Sequence, residues 1–355
     1  MGVTVSAPIT ATRVRDERWD AMRGVAILCV VAIHAIGVVY FARGVGSATT
    51  GIILRQLVTF AVPLFLCISG YWARTVTIGS LSQYVRFLSK RIPRVLVPYV
   101  VWSFVCLAIT PERATLLSLR TVVYTLLVGG ASAPYYFIPL ICQFYVLLPV
   151  FLALKGKWFG LPLVAFTNAA CLIVVYFVQL RLQRDLPFVD RALPFYMWMV
   201  YFLIGLQYDR LAPRLRLPAL MALTGVALVV GLAESFVLLH ATGNHEFATS
   251  TLRLGSLLYS GCAVLTVLRL GEVVTRFPLL LVKLGQCSLG IYFVHMIFLS
   301  AIAHVAGKAH FLTPWQPIFL VLAMLGATGA SYGTVTLARM VMSPKVARNV
   351  LGFGL

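Results

Sequence analysis

The sequence predicts an all-α polytopic integral membrane protein with about ten transmembrane helices. Three observations predict it. The first is composition: of 355 residues, 61% are hydrophobic and 11% charged, and the mean hydropathy is +0.94, outside the range of soluble domains. The second is run length: the apolar residues gather into stretches near the ~20 residues that a helix needs to cross the hydrocarbon. The third is charge placement: of 29 Lys and Arg, 20 fall in alternate connecting segments, the bias that marks cytoplasmic loops. The net charge of +19 is thus a topology signal. Its residues are spread over many short segments, so membrane lipid is an expected partner and nucleic acid is not. Seven cysteines (Cys29, Cys67, Cys106, Cys142, Cys171, Cys262, Cys287) sit in apolar stretches without a CxxC pair. They read as small buried hydrophobes, and no metal site is expected.

The candidate spans are residues 21–41, 54–72, 93–110, 134–153, 159–180, 194–208, 217–239, 252–270, 279–303 and 315–338. The expected layout is a cytoplasmic N-terminal segment (1–20), a transmembrane domain (21–338) and a cytoplasmic C-terminal tail (339–355). The first 18 residues lack the apolar core of a cleavable signal. Residues 116–130, ending in Gly129-Gly130, form a shorter run. It is expected to be re-entrant or interfacial, because a full span there would move every later basic segment outside.

The first span carries RWDAMRGVAILCVVAIH, residues 18–34. Arg23 and His34 are eleven residues apart, about three turns and ~16 Å, so they share a helix face. A buried ionisable group faces protein or a wet cavity, not lipid, so His34 is either a packing histidine or a site residue. In the second span, FAVPLFLCISGYW, Pro63 removes a backbone hydrogen bond and Ser69-Gly70 follows. A loosened helix of this kind either kinks or lines a cavity. KRIPRVLVPY, residues 90–99, places Arg91 and Arg94 three apart with Pro93 between them. If Pro93 opens a helix, two guanidiniums beside free backbone N–H groups suit a phosphate, though topogenic charge explains them equally. Gln143 lies in the fourth span, Glu234 and Arg253 are an expected ion pair, and Tyr292 and His295 share a face of the ninth span. His240, His245, His304 and His310 fall near span ends. HExxH, P-loop and GxSxG patterns are absent.

Six pieces in order carry a family resemblance: RWDAMRGVAILCVVAIH, FAVPLFLCISGYW, the RxxR of Arg91-Ile92-Pro93-Arg94, YYFIPLICQFYVLLP, PFYMWMVYFLIGL and LGQCSLGIYFVH. Together they resemble the membrane-bound acyltransferase 3 family, whose members O-acylate bacterial surface and exopolysaccharides. Tyr136 stands where that family usually has Trp. The resemblance implies a protein of the bacterial cytoplasmic (inner) membrane, of the type without a fused hydrolase-like domain. It implies an acyl-CoA donor, usually acetyl-CoA, reaching the site from the cytoplasm. The implied acceptor is a hydroxyl of a glycan or lipid-linked sugar. On this resemblance Arg91 and Arg94 would hold coenzyme phosphates and Arg23 would orient the donor. His34 would act as general base or take the acyl group transiently. Asp20, Ser69, Gln143, Tyr292 and His295 are expected to line the cavity. Two other readings stay open: a transporter or flippase of glycan precursors, and an acyltransferase acting on an amine, an antibiotic scaffold or a secreted small molecule.

Overall fold

A computed structural model describes residues 16–41, 48–109, 118–308 and 316–354. Arg13, Arg15 and His310 lie outside the described residues. The described residues form helices and connecting turns, with no strand among them. In chain order the α-helices are α1 (Glu17–Ile36), α2 (Ala48–Val58), α3 (Ala61–Ala73), α4 (Leu81–Ile109), α5 (Leu119–Val128), α6 (Phe137–Val146), α7 (Leu148–Lys155), α8 (Gly160–Tyr176) and α9 (Phe188–Ala192). They continue with α10 (Met199–Leu211), α11 (Leu217–Thr242), α12 (His245–Ala248), α13 (Leu254–Val273), α14 (Leu279–Gln286), α15 (Ser288–Lys308), α16 (Gln316–Val341) and α17 (Pro344–Asn349).

Among the described residues, eight helical stretches are long and apolar enough to cross a membrane. A ninth is present if α6 and α7, bent by 62° at Leu147, count as one. The remaining expected span, 194–208, is α10. It has 13 residues, about 20 Å, because Pro194 and a 3-10 turn over Phe195–Met197 use up its first residues. Every residue from Met199 to Tyr208 is buried. Helix α10 is therefore solvated by protein, and its short length exposes no backbone to lipid. Helix α5 has 10 residues, ~15 Å, too short to cross, and ends on a left-handed Gly129 with φ 76°.

Two close crossings hold the centre. A Cβ on Gly24 of α1 would lie 2.1 Å from the Leu281 carbonyl oxygen, and one on Gly285 of α14 would lie 1.7 Å from that of Asp20. A Cβ on Gly70 of α3 would lie 2.1 Å from the Phe202 oxygen, and one on Gly205 of α10 would lie 1.9 Å from that of Cys67. Small residues let these backbones touch, which is how membrane helices pack without a hydrophobic drive between them. Gly70 of the Ser-Gly pair is therefore a packing residue.

Two local expectations are corrected. The break in the second span falls at Thr59-Phe60, between α2 and α3, and not at Pro63. Pro63 lies in the first turn of α3, where its missing N–H has no partner to lose. The Thr59 hydroxyl closes the end of α2 by donating to the Gln56 carbonyl at 2.9 Å. Pro93 does not open a helix either. Helix α4 begins twelve residues earlier and runs 29 residues through both Pro93 and Pro98. Each proline forfeits one backbone bond, to Ser89 and to Arg94, and the remaining ladder carries the helix on. Arg91 and Arg94 thus sit in mid-helix without free N–H groups beside them.

The last described residues fold back onto the bundle. The Trp102 indole donates to the Leu351 carbonyl at 3.1 Å. Arg339 donates to the carbonyls of Phe353 at 2.5 Å and Gly354 at 2.7 Å. The Phe353 ring is buried.

Candidate active site

A cavity of about 630 Å³ opens between α1, α3, α6 and the start of α15, with α2, α4 and α9 contributing to its rim. Both Arg23 and His34 line it. It runs from a polar end at Arg23, past His34, to a second polar end at Arg55, Glu246 and Thr251.

The Arg23 end is built by the α1–α14 crossing. Asp20 is buried beneath it. One Asp20 oxygen accepts from Arg23 at 3.4 Å and the other from the Gln286 amide at 3.4 Å. Gly285, Gln286 and Gly354 form the adjoining wall. Tyr145 lines the cavity here, and the charges of Arg91, Arg23 and Arg94 all bear on its phenol. Arg91 is half-buried one turn before Val95, a cavity residue, and Arg94 is exposed. Of these three cations Arg23 alone is in the cavity wall, and Arg91 and Arg94 lie outside it on the neighbouring α4.

In the middle, the His34 ring lies 5.4 Å from that of His295, centroid to centroid. His295 is fully buried. Its Nδ1 lies 2.8 Å from the Tyr292 carbonyl and 3.0 Å from that of Ile291. Carbonyls only accept, so Nδ1 carries the hydrogen and Nε2 the lone pair. That Nε2 has no partner among the described residues. None of the described residues hydrogen-bonds the His34 ring, which leaves it to the cavity. Tyr292 lines the wall and its hydroxyl donates to the Pro134 carbonyl at 2.5 Å. Ser69 also lines it, with its hydroxyl turned back to the Phe65 carbonyl at 2.8 Å.

Gln143 is elsewhere. Its amide donates to the Leu193 carbonyl at 2.8 Å and accepts from the Phe195 N–H at 3.2 Å. It pins α6 to the turn that leads into α10, satisfying backbone groups that the turn leaves open, and it is no part of the cavity wall. Asp20 and His295 stand behind the wall, one holding Arg23 and the other beside His34.

Sequence reasoning missed Arg55 and Glu246. Arg55 is a cation inside the 26-residue apolar stretch Ala48–Ala73, which is a signal in itself. Glu246 sits on the four-residue helix α12, and no pattern marks it. It pairs with Arg191 of α9 at 3.5 Å. Burial pulls the Arg191 guanidinium below its ordinary value, while Glu246 and Asp185 oppose that. Behind this end, Arg253 is wholly buried and pairs with Glu234 at 3.1 Å. It also donates to Gln56 at 2.6 Å, and Glu234 accepts from the Tyr176 hydroxyl at 2.5 Å.

Chemically, the cavity offers a cation at one end, an imidazole with open ring nitrogens midway, and a mixed polar and aromatic pocket beyond. The family model described as an acyltransferase domain, acyltransferase 3, matches residues 16–332. Comparison with curated proteins and with solved structures gave no match. With the family's domain running from the start of α1 into α16, this chain is a membrane acyltransferase and belongs to the acyltransferase 3 family.

Proposed function

We propose that the protein is an O-acyltransferase that moves an acyl group, acetyl in the first instance, from cytoplasmic acyl-CoA to a sugar hydroxyl. The acceptor is a surface or exopolysaccharide glycan or its lipid-linked precursor, and the membrane is the bacterial inner membrane. One observation carries the reading: a single cavity holds the Arg23 mouth, His34 and a second polar end in sequence. Arg91, Arg94 and Arg23 hold the coenzyme phosphates by charge-assisted hydrogen bonds. The pantetheine arm enters past Gln286 and brings the thioester to His34.

His34 takes the proton from the acceptor hydroxyl as its oxygen attacks the thioester carbonyl. The carbon–sulfur bond breaks, the ester forms, and the proton passes from His34 to the departing thiolate. His295 backs the imidazole. Its Nδ1 is committed to backbone, so its basic Nε2 is the only face it offers.

The test is mass spectrometry of surface glycans from cells with and without the gene, alongside transfer of labelled acetyl from acetyl-CoA by purified protein. A glycan that loses the mass of one acyl group without the gene, and label that reaches that glycan, are the expected results. Movement of sugar across the membrane without acyl loss would instead favour the flippase reading. Orientation is tested separately: cysteines placed at Ala48 and Gly79 should label from opposite sides, with position 48 outside. Labelling of both from one side breaks the topology on which donor and acceptor access depend.

A further inference from the structure

The acceptor end of the cavity contains a cation that the transfer reaction does not use. Arg55 lines the same cavity as His34 from within an apolar span. A guanidinium removed from water needs a counter-charge or a full set of acceptors. Three arginines meet at this end, and two have a carboxylate in contact. Arg253 pairs with Glu234 at 3.1 Å, and Arg191 pairs with Glu246 at 3.5 Å, with Asp185 also acting on Arg191. Arg55 has no ion pair among the described residues. The Phe41 ring centroid lies 5.9 Å from its guanidinium carbon. Glu246 lines the same cavity but is engaged by Arg191.

The surroundings hold Arg55 in place and shape the space before it. Gln56, the next residue, accepts from Arg253 at 2.6 Å, which fixes the rotation of α2 and keeps Arg55 turned to the cavity. Tyr136 and Phe188 meet edge to face at 5.2 Å, and both line the wall. They supply flat apolar surfaces for the C–H face of a sugar ring, and Thr251 adds a hydroxyl. His34 and Arg55 line the one cavity with Tyr136 and Phe188.

We propose that Arg55 forms an anion subsite: the acceptor is a sugar bearing a carboxylate or a phosphate close to the hydroxyl that is acylated. The guanidinium holds the anion through its paired N–H donors, the sugar lies on Tyr136 and Phe188, and its neighbouring hydroxyl faces His34. This rests on the acyl-transfer reading for the purpose of the site, but anion selectivity can be measured without turnover.

The experiment uses full-length protein in phosphatidylcholine nanodiscs and equilibrium binding of glucose, glucuronate and glucose 6-phosphate, for wild type, Arg55→Gln and Arg55→Lys. Unfolding temperature reports folding of each variant separately. Wild type is expected to bind at least one anionic sugar ~10-fold or more over glucose, the size of one charge-assisted pair. Arg55→Gln should lose that preference and Arg55→Lys should keep part of it. Preference for glucuronate identifies a uronic-acid acceptor, and preference for glucose 6-phosphate a sugar phosphate. The proposal is overturned if glucose binds as well as both anions, if none of the three binds, or if folded Arg55→Gln keeps the preference. Anion preference without any acetyl transfer would sink the proposed function and leave the subsite standing. Transfer to a neutral sugar, undiminished in Arg55→Gln, would do the reverse.

Discussion

The two ends of the cavity are built in different ways. The Arg23 end comes from neighbours in sequence: Asp20 and Arg23 are one turn apart on α1, and the α1–α14 crossing brings Gln286 to them. The Arg55 end is assembled from α2, α9, α12 and the turn before α13, with Arg55, Phe188, Glu246 and Thr251 each arriving alone. The first end rests on the 20-residue α1, locked to α14 by glycine contacts. The second rests on the 11-residue α2 and, for its other side chains, on helices of five and four residues. On the function proposed above, the first end meets a coenzyme that never varies and the second meets an acceptor that does. A rigid motif suits the one, and short connecting elements that tolerate change suit the other.

The comparison is sharpened most by the residue between the ends. His34→Ala is expected to lower turnover per folded molecule by ~10²–10⁴, the usual loss with a general base. Acyl-CoA affinity should stay near wild type, because the cations lie three turns away. His34→Gln keeps hydrogen bonding without a basic nitrogen and should fall as far. Either variant retaining more than about a tenth of wild-type turnover would return His34 to a packing role. In that role, activity would track only the amount of folded protein.

A smaller effect separates the ends directly. Arg91→Ala and Arg94→Ala should each weaken acyl-CoA binding by about tenfold or more, as charge-assisted contacts to phosphate are worth ~1.5–3 kcal/mol. The selectivity between anionic and neutral sugars should not move. Both side chains lie on a stretch of α4 that is half-buried or exposed, so folding should survive. Titration calorimetry with acetyl-CoA decides it. Unchanged affinity in the folded double variant would assign both arginines to topology alone.

The fold class was legible because hydropathy and loop charge report the membrane directly. Long lipid-facing helices such as α11 and α16 fall where the apolar runs place them. Helix α10 was hard to delimit because protein surrounds it, so no lipid-length rule applies to it. The mid-helix position of Arg91 and Arg94 was misread because proline usually opens a helix, and only the bundle shows that α4 continues through it. Arg23 and His34 were legible as a pair because about three helix turns bring them back to one face. Gln143 was misplaced for want of any sign that its partners would be backbone groups of a turn fifty residues on. Arg55 was readable from its apolar setting, but Glu246 was not, since its neighbours arrive through tertiary contacts alone.

The smallest expected effect tests whether the Arg23 end is as rigid as its glycines imply. Gly285→Ala puts a methyl carbon where the Asp20 carbonyl oxygen lies, 1.7 Å away, so α1 and α14 must separate. Overpacking of this kind costs ~1–3 kcal/mol. It also shifts Asp20, which positions Arg23, so acyl-CoA affinity should fall with the unfolding temperature. Gly225→Ala on α11 is the matched control, because a Cβ there meets nothing within 4 Å. With no clash, it should gain up to ~0.5–1 kcal/mol from helix propensity. Thermal unfolding of the two variants in the same detergent should therefore move in opposite directions. If Gly285→Ala unfolds with wild type, the α1–α14 crossing has slack. The contrast between a locked donor end and an adaptable acceptor end then fails at its rigid side.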